Sequence, residues 1–135
     1  DKMIENEAKK TVGQIFEEDG ESYFRSLEQK ISIRMLNNKN CVISLGGGAI
    51  TNNNIRKSVL LNSYSIYLKV DVDILKNRLK YSKNRPLIKN RNIKSELSIL
   101  INEREKFYKK ADLVIYNEKS ILDTVEKIIK NISNE

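Results

Sequence analysis

Residues 41–49 read Cys41-Val42-Ile43-Ser44-Leu45-Gly46-Gly47-Gly48-Ala49. A short apolar run closed by Asn40 on one side and glycine on the other reads as a buried strand over 41–45, with Cys41 an ordinary strand residue. Three glycines follow at once. In open α/β sheets, ligands bind beyond the carboxyl ends of the strands. Glycines there let backbone N–H groups approach a substrate with no Cβ in the way. A tight strand-to-helix turn is the competing account, but one or two glycines would suffice for it, so three favour a ligand-facing loop.

Helices precede this stretch. Asp1 can cap a helix from 3 to about 9, and Thr11-Val12-Gly13-Gln14 has the form of a capping box. A helical turn or two runs through Phe16 and is broken at Asp19-Gly20. The next helix covers about 21–37, with Phe24, Leu27, Ile31 and Met35 at helical spacing facing the core. After the glycines come a helix over about 53–61 and a strand over 64–70 with Ile66, Leu68 and Val70 on one side. Asp71 or Asp73 caps a helix to about 81, and the polar, basic stretch 82–94, with the sole proline at Pro86, reads as a mobile loop. Ser95 caps a helix to about 110. Leu113-Val114-Ile115-Tyr116 is a third strand, and Ser120 caps an amphipathic helix carrying Ile121, Leu122, Val125, Ile128, Ile129 and Ile132. Strands alternating with helices predict one α/β layered domain over 1–135 with a parallel sheet.

Composition narrows the chemistry. The 135 residues hold 25 Lys and Arg against 18 Asp and Glu, a net charge of +7, and contain no histidine. A Ser-His-Asp triad, a Cys-His dyad and a His-ligated metal are excluded, so acid–base work falls to carboxylates, lysines or tyrosines. One cysteine excludes an internal disulfide and a Cys-only zinc site, and suits a reducing cytoplasm. No apolar run approaches the roughly 18 residues that span a bilayer, and no basic-then-apolar leader opens the text. The basic excess is mostly Lys scattered among Asn and Ile, which reads as solvated surface that can still hold a basic pocket for an anion. Aromatics make up 7% of the residues and no DNA or RNA motif is present, so neither nucleic acid nor membrane is an expected partner. Asp1 is not a start methionine, and a longer native protein is expected.

Several side chains have both a structural and a chemical account. Arg104 falls on the apolar stripe of Leu97, Leu100, Ile101 and Tyr108. It is either a snorkelling edge residue or a fork for a carboxylate or phosphate. Glu28 lies beside the stripe of Phe24, Leu27 and Ile31, three residues after Arg25. The two form either a solvated surface pair or an Arg with its orienting carboxylate. Arg85, in Arg85-Pro86-Leu87, is an exposed loop residue or an Arg that closes over phosphates, and Arg78 is similarly open. Asp1 is a helix cap unless its carboxylate meets a substrate hydroxyl.

In their order along the chain, these pieces resemble shikimate kinase. Asp1 with Ile4-Glu5, then Ile15-Phe16, Gly20-Glu21, Phe24-Arg25 and Glu28, then Leu45-Gly46-Gly47-Gly48-Ala49, Arg85-Pro86-Leu87 and Arg104 with Tyr108 carry the likeness over nearly the whole chain. The resemblance implies a three-layer P-loop kinase of the nucleoside-monophosphate-kinase type, with three parallel strands in this chain and the N-terminal two missing. It implies transfer of the γ-phosphoryl group of ATP to the 3-hydroxyl of shikimate, with Mg²⁺, in chorismate and aromatic amino acid synthesis. Asp1 would meet the accepting hydroxyl, and Arg25 and Arg104 would clamp the carboxylate. Gly46, Gly47 and Gly48 would hold the ring. Arg85 would swing in with a lid over 82–94, Arg78 would border adenine, and Ser44 would reach the magnesium shell through water. A cytoplasmic monomer acting on a small molecule is expected.

The chain departs from the family pattern in having no G-x-x-x-x-G-K-[ST] segment. The expectation is therefore that such a segment precedes Asp1 and that these residues alone do not bind ATP productively. The segment 117–119, in the region that meets adenine in the family, also lacks a clear match. The alternatives are a noncatalytic binding protein on the same scaffold and a kinase of a related small acid.

Overall fold

The computed structural model describes residues 1–79 and 93–133. They fall into two compact units, the first being Asp1–Tyr64.

The first unit opens with helix α1 (Lys2–Ala8). Asp1 occupies its N-cap position, but the carboxylate makes no capping hydrogen bond, contrary to the expected role. The predicted capping box is present at α2 (Val12–Gln14): Gln14 N–H donates to Thr11 Oγ1 at 3.2 Å, and Thr11 N–H donates to Gln14 Oε1 at 2.9 Å. A π-helical turn, Ile15–Asp19, follows. Gly20 then takes φ 84°, a backbone conformation that glycine adopts without Cβ strain. The chain continues into α3 (Gly20–Leu36). Phe24, Leu27 and Ile31 of α3 bury against Ile4 and Ile15, with Met35 at the margin. A second apolar cluster joins Leu36 and Ala49 to Ile55 and Val59 of α4 (Asn53–Asn62). Asn52 caps α4 through its Oδ1, and its Nδ2 donates to Gln29 Oε1 at 2.7 Å, tying the start of α4 to α3.

The predicted buried strand over 41–45 is absent. Residues 41–46 are not part of a sheet among the described residues. Ile43 and Leu45 pack against the second cluster, while Val42 and Ser44 face outward and Cys41 is exposed. The apolar alternation is real, but only one face is covered, and among the described residues no neighbouring backbone supplies a ladder.

The second unit holds a parallel two-stranded sheet of β1 (Ile66–Lys69) and β2 (Leu113–Tyr116), with Ile66 opposite Leu113 and Lys69 opposite Tyr116. Among the described residues two strands, not three, form the sheet, and β1 is shorter than the predicted 64–70. Leu68 is exposed and Ile66 only half-buried, whereas Tyr67 stacks on Tyr108 with ring centroids 4.9 Å apart. Asp71 caps α5 (Val72–Leu79) by accepting from Asp73 N–H at 2.8 Å. Helix α6 spans Ile93–Tyr108, so Ser95 lies inside it and is not its cap, and residues 93 and 94 of the predicted loop are helical. Ser120 caps α7 (Ile121–Ile132) as expected. The predicted lid residues 82–92, Arg85-Pro86-Leu87 among them, lie outside the described residues. No helix of the described residues is long and apolar enough to cross a membrane.

Ser65 and Asp112 fasten the beginnings of the two strands. The Ser65 hydroxyl and N–H donate to Asp112 Oδ2 at 2.6 and 2.7 Å. The hydroxyl bond first, then the backbone bond, hold the Asp112 carboxyl below the usual range. Its contribution to stability is complete above the ordinary aspartate pKa and is lost as pH falls through the lowered value. Ser65→Ala is expected to move the Asp112 midpoint upward, toward that of a free aspartate, in a carboxyl-carbon NMR titration; an unchanged midpoint refutes the assignment.

Candidate active site

Helix α3 places Arg25 and Glu28 on one side, one turn apart. Arg25 Nη1 donates to Glu28 Oε2 at 2.6 Å, a charge-assisted bond at short range. The Glu28 side chain is only 6% exposed, so its charge is tolerable because the guanidinium is there to meet it. Arg25 Nε and Nη2 both donate to Glu21 Oε1 at 3.2 Å. Burial opposes the charge on Arg25, but the bonds to Glu28 and then to Glu21 outweigh it and raise its pKa above the ordinary value.

The glycine segment lies directly on this pair. A Cβ at Gly48 would fall 2.6 Å from Arg25 Nη1, 2.9 Å from Nη2 and 3.0 Å from Cζ. A Cβ at Gly46 would fall 3.1 Å from Glu28 Oε1 and 4.0 Å from Asp1 Oδ1. Bare Cα atoms therefore allow the backbone to run past a guanidinium at one end and two carboxylates at the other. The segment turns there: Ala49 N–H donates to the Gly46 carbonyl at 2.9 Å, and the Thr51 hydroxyl to the Gly48 carbonyl at 2.7 Å. Gly47 sits in the same turn. Beside it is an open groove of about 320 Å³ that Asp1, Glu28, Ser32, Ser44 and Gly46 line together with Ile4, Ile31 and Met35.

Asp1, Arg25, Glu28, Gly46 and Gly48, five of the residues singled out in the sequence, thus meet within one unit. The open question about Glu28 is resolved: it is Arg25's partner, not a solvated surface residue. The exposed Ser44 lines the groove. Arg104 belongs to the second unit, half-buried on α6 beside buried Leu97. No hydrogen bond or ion pair within that unit engages its guanidinium among the described residues. Arg78 Nη2 donates to the Asn117 carbonyl at 2.9 Å, and Asn117 Oδ1 accepts from the Thr124 hydroxyl at 3.1 Å. The segment that lacked a motif match is therefore where Arg78 is anchored. That contact spans 39 residues and has no local signature. Glu21, by contrast, could have been suspected from its i, i+4 spacing to Arg25. The described residues hold no group of three carboxylates or thiolates that could bind a metal. The lone Ser44 hydroxyl does not make a magnesium site, which needs several oxygen donors.

A family model for shikimate kinase matches residues 1–133. The chain belongs to the shikimate kinase family. The shikimate kinase of Bartonella henselae is 38% identical over 135 residues, covering 99% of this chain and 64% of its own length. That of Bartonella quintana is 36% identical over 135 residues, with 99% and 64% covered. The chain thus spans a little under two thirds of these relatives. A solved shikimate kinase from Acinetobacter baumannii, in complex with shikimate, matches with a TM-score of 0.95 at 31% identity, covering 100% of this chain and 77% of that one. The chain has the α/β fold of the shikimate kinases.

Gly48→Ala tests the close approach. The new methyl group cannot coexist with Arg25 in its present place, so the guanidinium must leave Glu28 or the turn must shift. The expected result is a displaced Arg25 Nε–H resonance in ¹H–¹⁵N NMR. An unperturbed resonance would mean that the glycine is not needed there.

Proposed function

We propose that this protein transfers the γ-phosphoryl group of ATP to the 3-hydroxyl of shikimate, giving shikimate 3-phosphate for aromatic amino acid synthesis. The observation that supports this most directly is the guanidinium of Arg25, bonded to buried Glu28, with its Nη1–Nη2 end against the bare Cα of Gly48. A planar fork held in this way suits a carboxylate. The Asp1 carboxylate, near Gly46 at the other end of the glycine turn, suits a hydroxyl.

In this reading the substrate carboxylate is received by Arg25, with Arg104 as the second fork. The ring lies along Gly46, Gly47 and Gly48. Asp1 orients the accepting hydroxyl and takes its proton as the O–P bond forms. Holding acceptor and donor in line is the main contribution such an enzyme makes, because phosphoryl transfer asks for little covalent chemistry from the protein. ATP is the phosphoryl donor, with Arg78 beside the adenine and Arg85 closing on the phosphates. No step is assigned to Mg²⁺, whose shell Ser44 would touch only through water. A cytoplasmic monomer fits the reading, and light scattering on the purified protein checks the oligomeric state.

The deciding assay couples ADP release to shikimate, added or omitted, on the full gene product. Shikimate-dependent ADP release is expected; release driven only by another hydroxy acid would replace the substrate. Asp1→Asn keeps shape but removes the carboxylate, so kcat is expected to fall far more than KM changes. Equal turnover in the Asn variant removes Asp1 from the chemistry. Arg104→Ala is expected to weaken shikimate binding by about 2–5 kcal/mol, as for loss of one member of a hydrogen-bonded charge pair. An unchanged Kd by calorimetry excludes it from the clamp.

A further inference from the structure

Arg25 is held from two directions on its own helix. Glu28, three residues later, takes Nη1 at 2.6 Å, while Glu21, four residues earlier, takes Nε and Nη2 on one oxygen, both at 3.2 Å. The two carboxylates differ in setting, since the Glu28 side chain is 6% exposed and that of Glu21 is 52% exposed. An exposed i, i+4 pair contributes only about 0.3–0.5 kcal/mol to stability. Its geometric effect is larger. A guanidinium is a rigid plane with donors along distinct edges. A single bond at Nη1 leaves that plane free to swing about it. A second acceptor on the Nε–Nη2 edge removes the freedom.

With Nε and one Nη2 hydrogen on Glu21 and one Nη1 hydrogen on Glu28, the donors left over are the second hydrogens of Nη1 and Nη2, at the end of the fork that Gly48 passes. A Cβ there would lie 2.6 and 2.9 Å from Nη1 and Nη2 and 3.0 Å from Cζ, so the glycine stands against the end of the fork. Glu21 is on the other edge. A carboxylate competing with the substrate would have to occupy the Gly48 end, and Glu21 does not. We propose that Glu21 is a positioning residue: by bonding the Nε–Nη2 edge, it turns Arg25 so that Nη1 and Nη2 present their remaining donors to a substrate carboxylate beside Gly48. This deepens the shikimate reading above and rests on it.

The test is calorimetric titration of shikimate, without nucleotide, into the wild-type protein, Glu21→Ala and Glu21→Gln. The Ala variant loses the acceptor and is expected to bind about 3–10-fold more weakly, the scale of one hydrogen bond's net contribution. The Gln variant keeps an acceptor oxygen for Nε and Nη2 while losing the charge, and is expected to recover to within about twofold of wild type. Melting temperatures should agree among the three, because an exposed substitution shifts stability by only about 0.5 kcal/mol. Wild-type affinity in the Ala variant overturns the proposal. Tighter binding also overturns it, because Glu21 would then compete with the substrate. Equal weakening in Ala and Gln overturns it as well, since charge and not acceptor geometry would be at work. If the wild-type protein itself does not bind shikimate, the functional reading fails and this proposal falls with it. If the wild type binds and only the expected contrast between variants is missing, Glu21 alone is discarded.

Discussion

Glu28 is a carboxylate in an almost dry place, and Arg25 is what makes that tolerable. Taking an unpaired charge out of water costs several kcal/mol, so each member of the pair constrains the other. The consequence reaches beyond helix α3. With its guanidinium pinned, Arg25 presents a fixed surface that a chain can pass only without a side chain, and Gly48 is the residue that passes it. At Gly46 the fit is tight but less strict: a Cβ there would lie 3.1 Å from Glu28 Oε1 and in ordinary contact with Asp1. One ion pair therefore accounts for Gly48 among the three consecutive glycines.

The scaffold around the pair keeps it in register. Phe24, Leu27 and Ile31 bury one stripe of α3, which sets the direction in which the neighbouring Arg25 and Glu28 can point. The far end of the glycine segment is held by Asn52, which caps α4 with one atom of its amide and reaches Gln29 of α3 with the other. Helix packing and a capping bond thus meet at the same turn. In the second unit the equivalent fastening is polar at Ser65 and Asp112 and aromatic at Tyr67 and Tyr108. Lys69 and Glu105 add an ion pair there at 3.1 Å, with the Glu105 carboxyl kept below its usual range by Lys69 and then by Lys109.

Helices were legible wherever their signals are local. The Thr11–Gln14 box, the break at Gly20, the stripe of α3 and the Ser120 cap each depend on residues within one or two turns. Most differences lie where the outcome depends on a distant partner. Residues 41–45 alternate like a strand, yet a strand exists only through its neighbour's backbone. Ser95 looked like a cap because serine so often is one, but Ile93 already begins the helix. Leu68 alternates like a core residue yet is exposed, while Tyr67, on the other face, packs on Tyr108.

The amino-acid sequence by itself determined the helices, the family and the residue types available to a site: carboxylates and guanidinium groups, and no imidazole. The helices and residue types follow from spacing and composition, and the family from the likeness of its motifs; none of these needs coordinates. Only the tertiary structure decided that Glu28 is buried, that Gly48 rests on the end of the Arg25 fork, and that Arg78 is tied to Asn117. Burial and approach are properties of what lies opposite a residue. The 22 residues between Arg25 and Gly48 carry no local pattern that would bring one against the other.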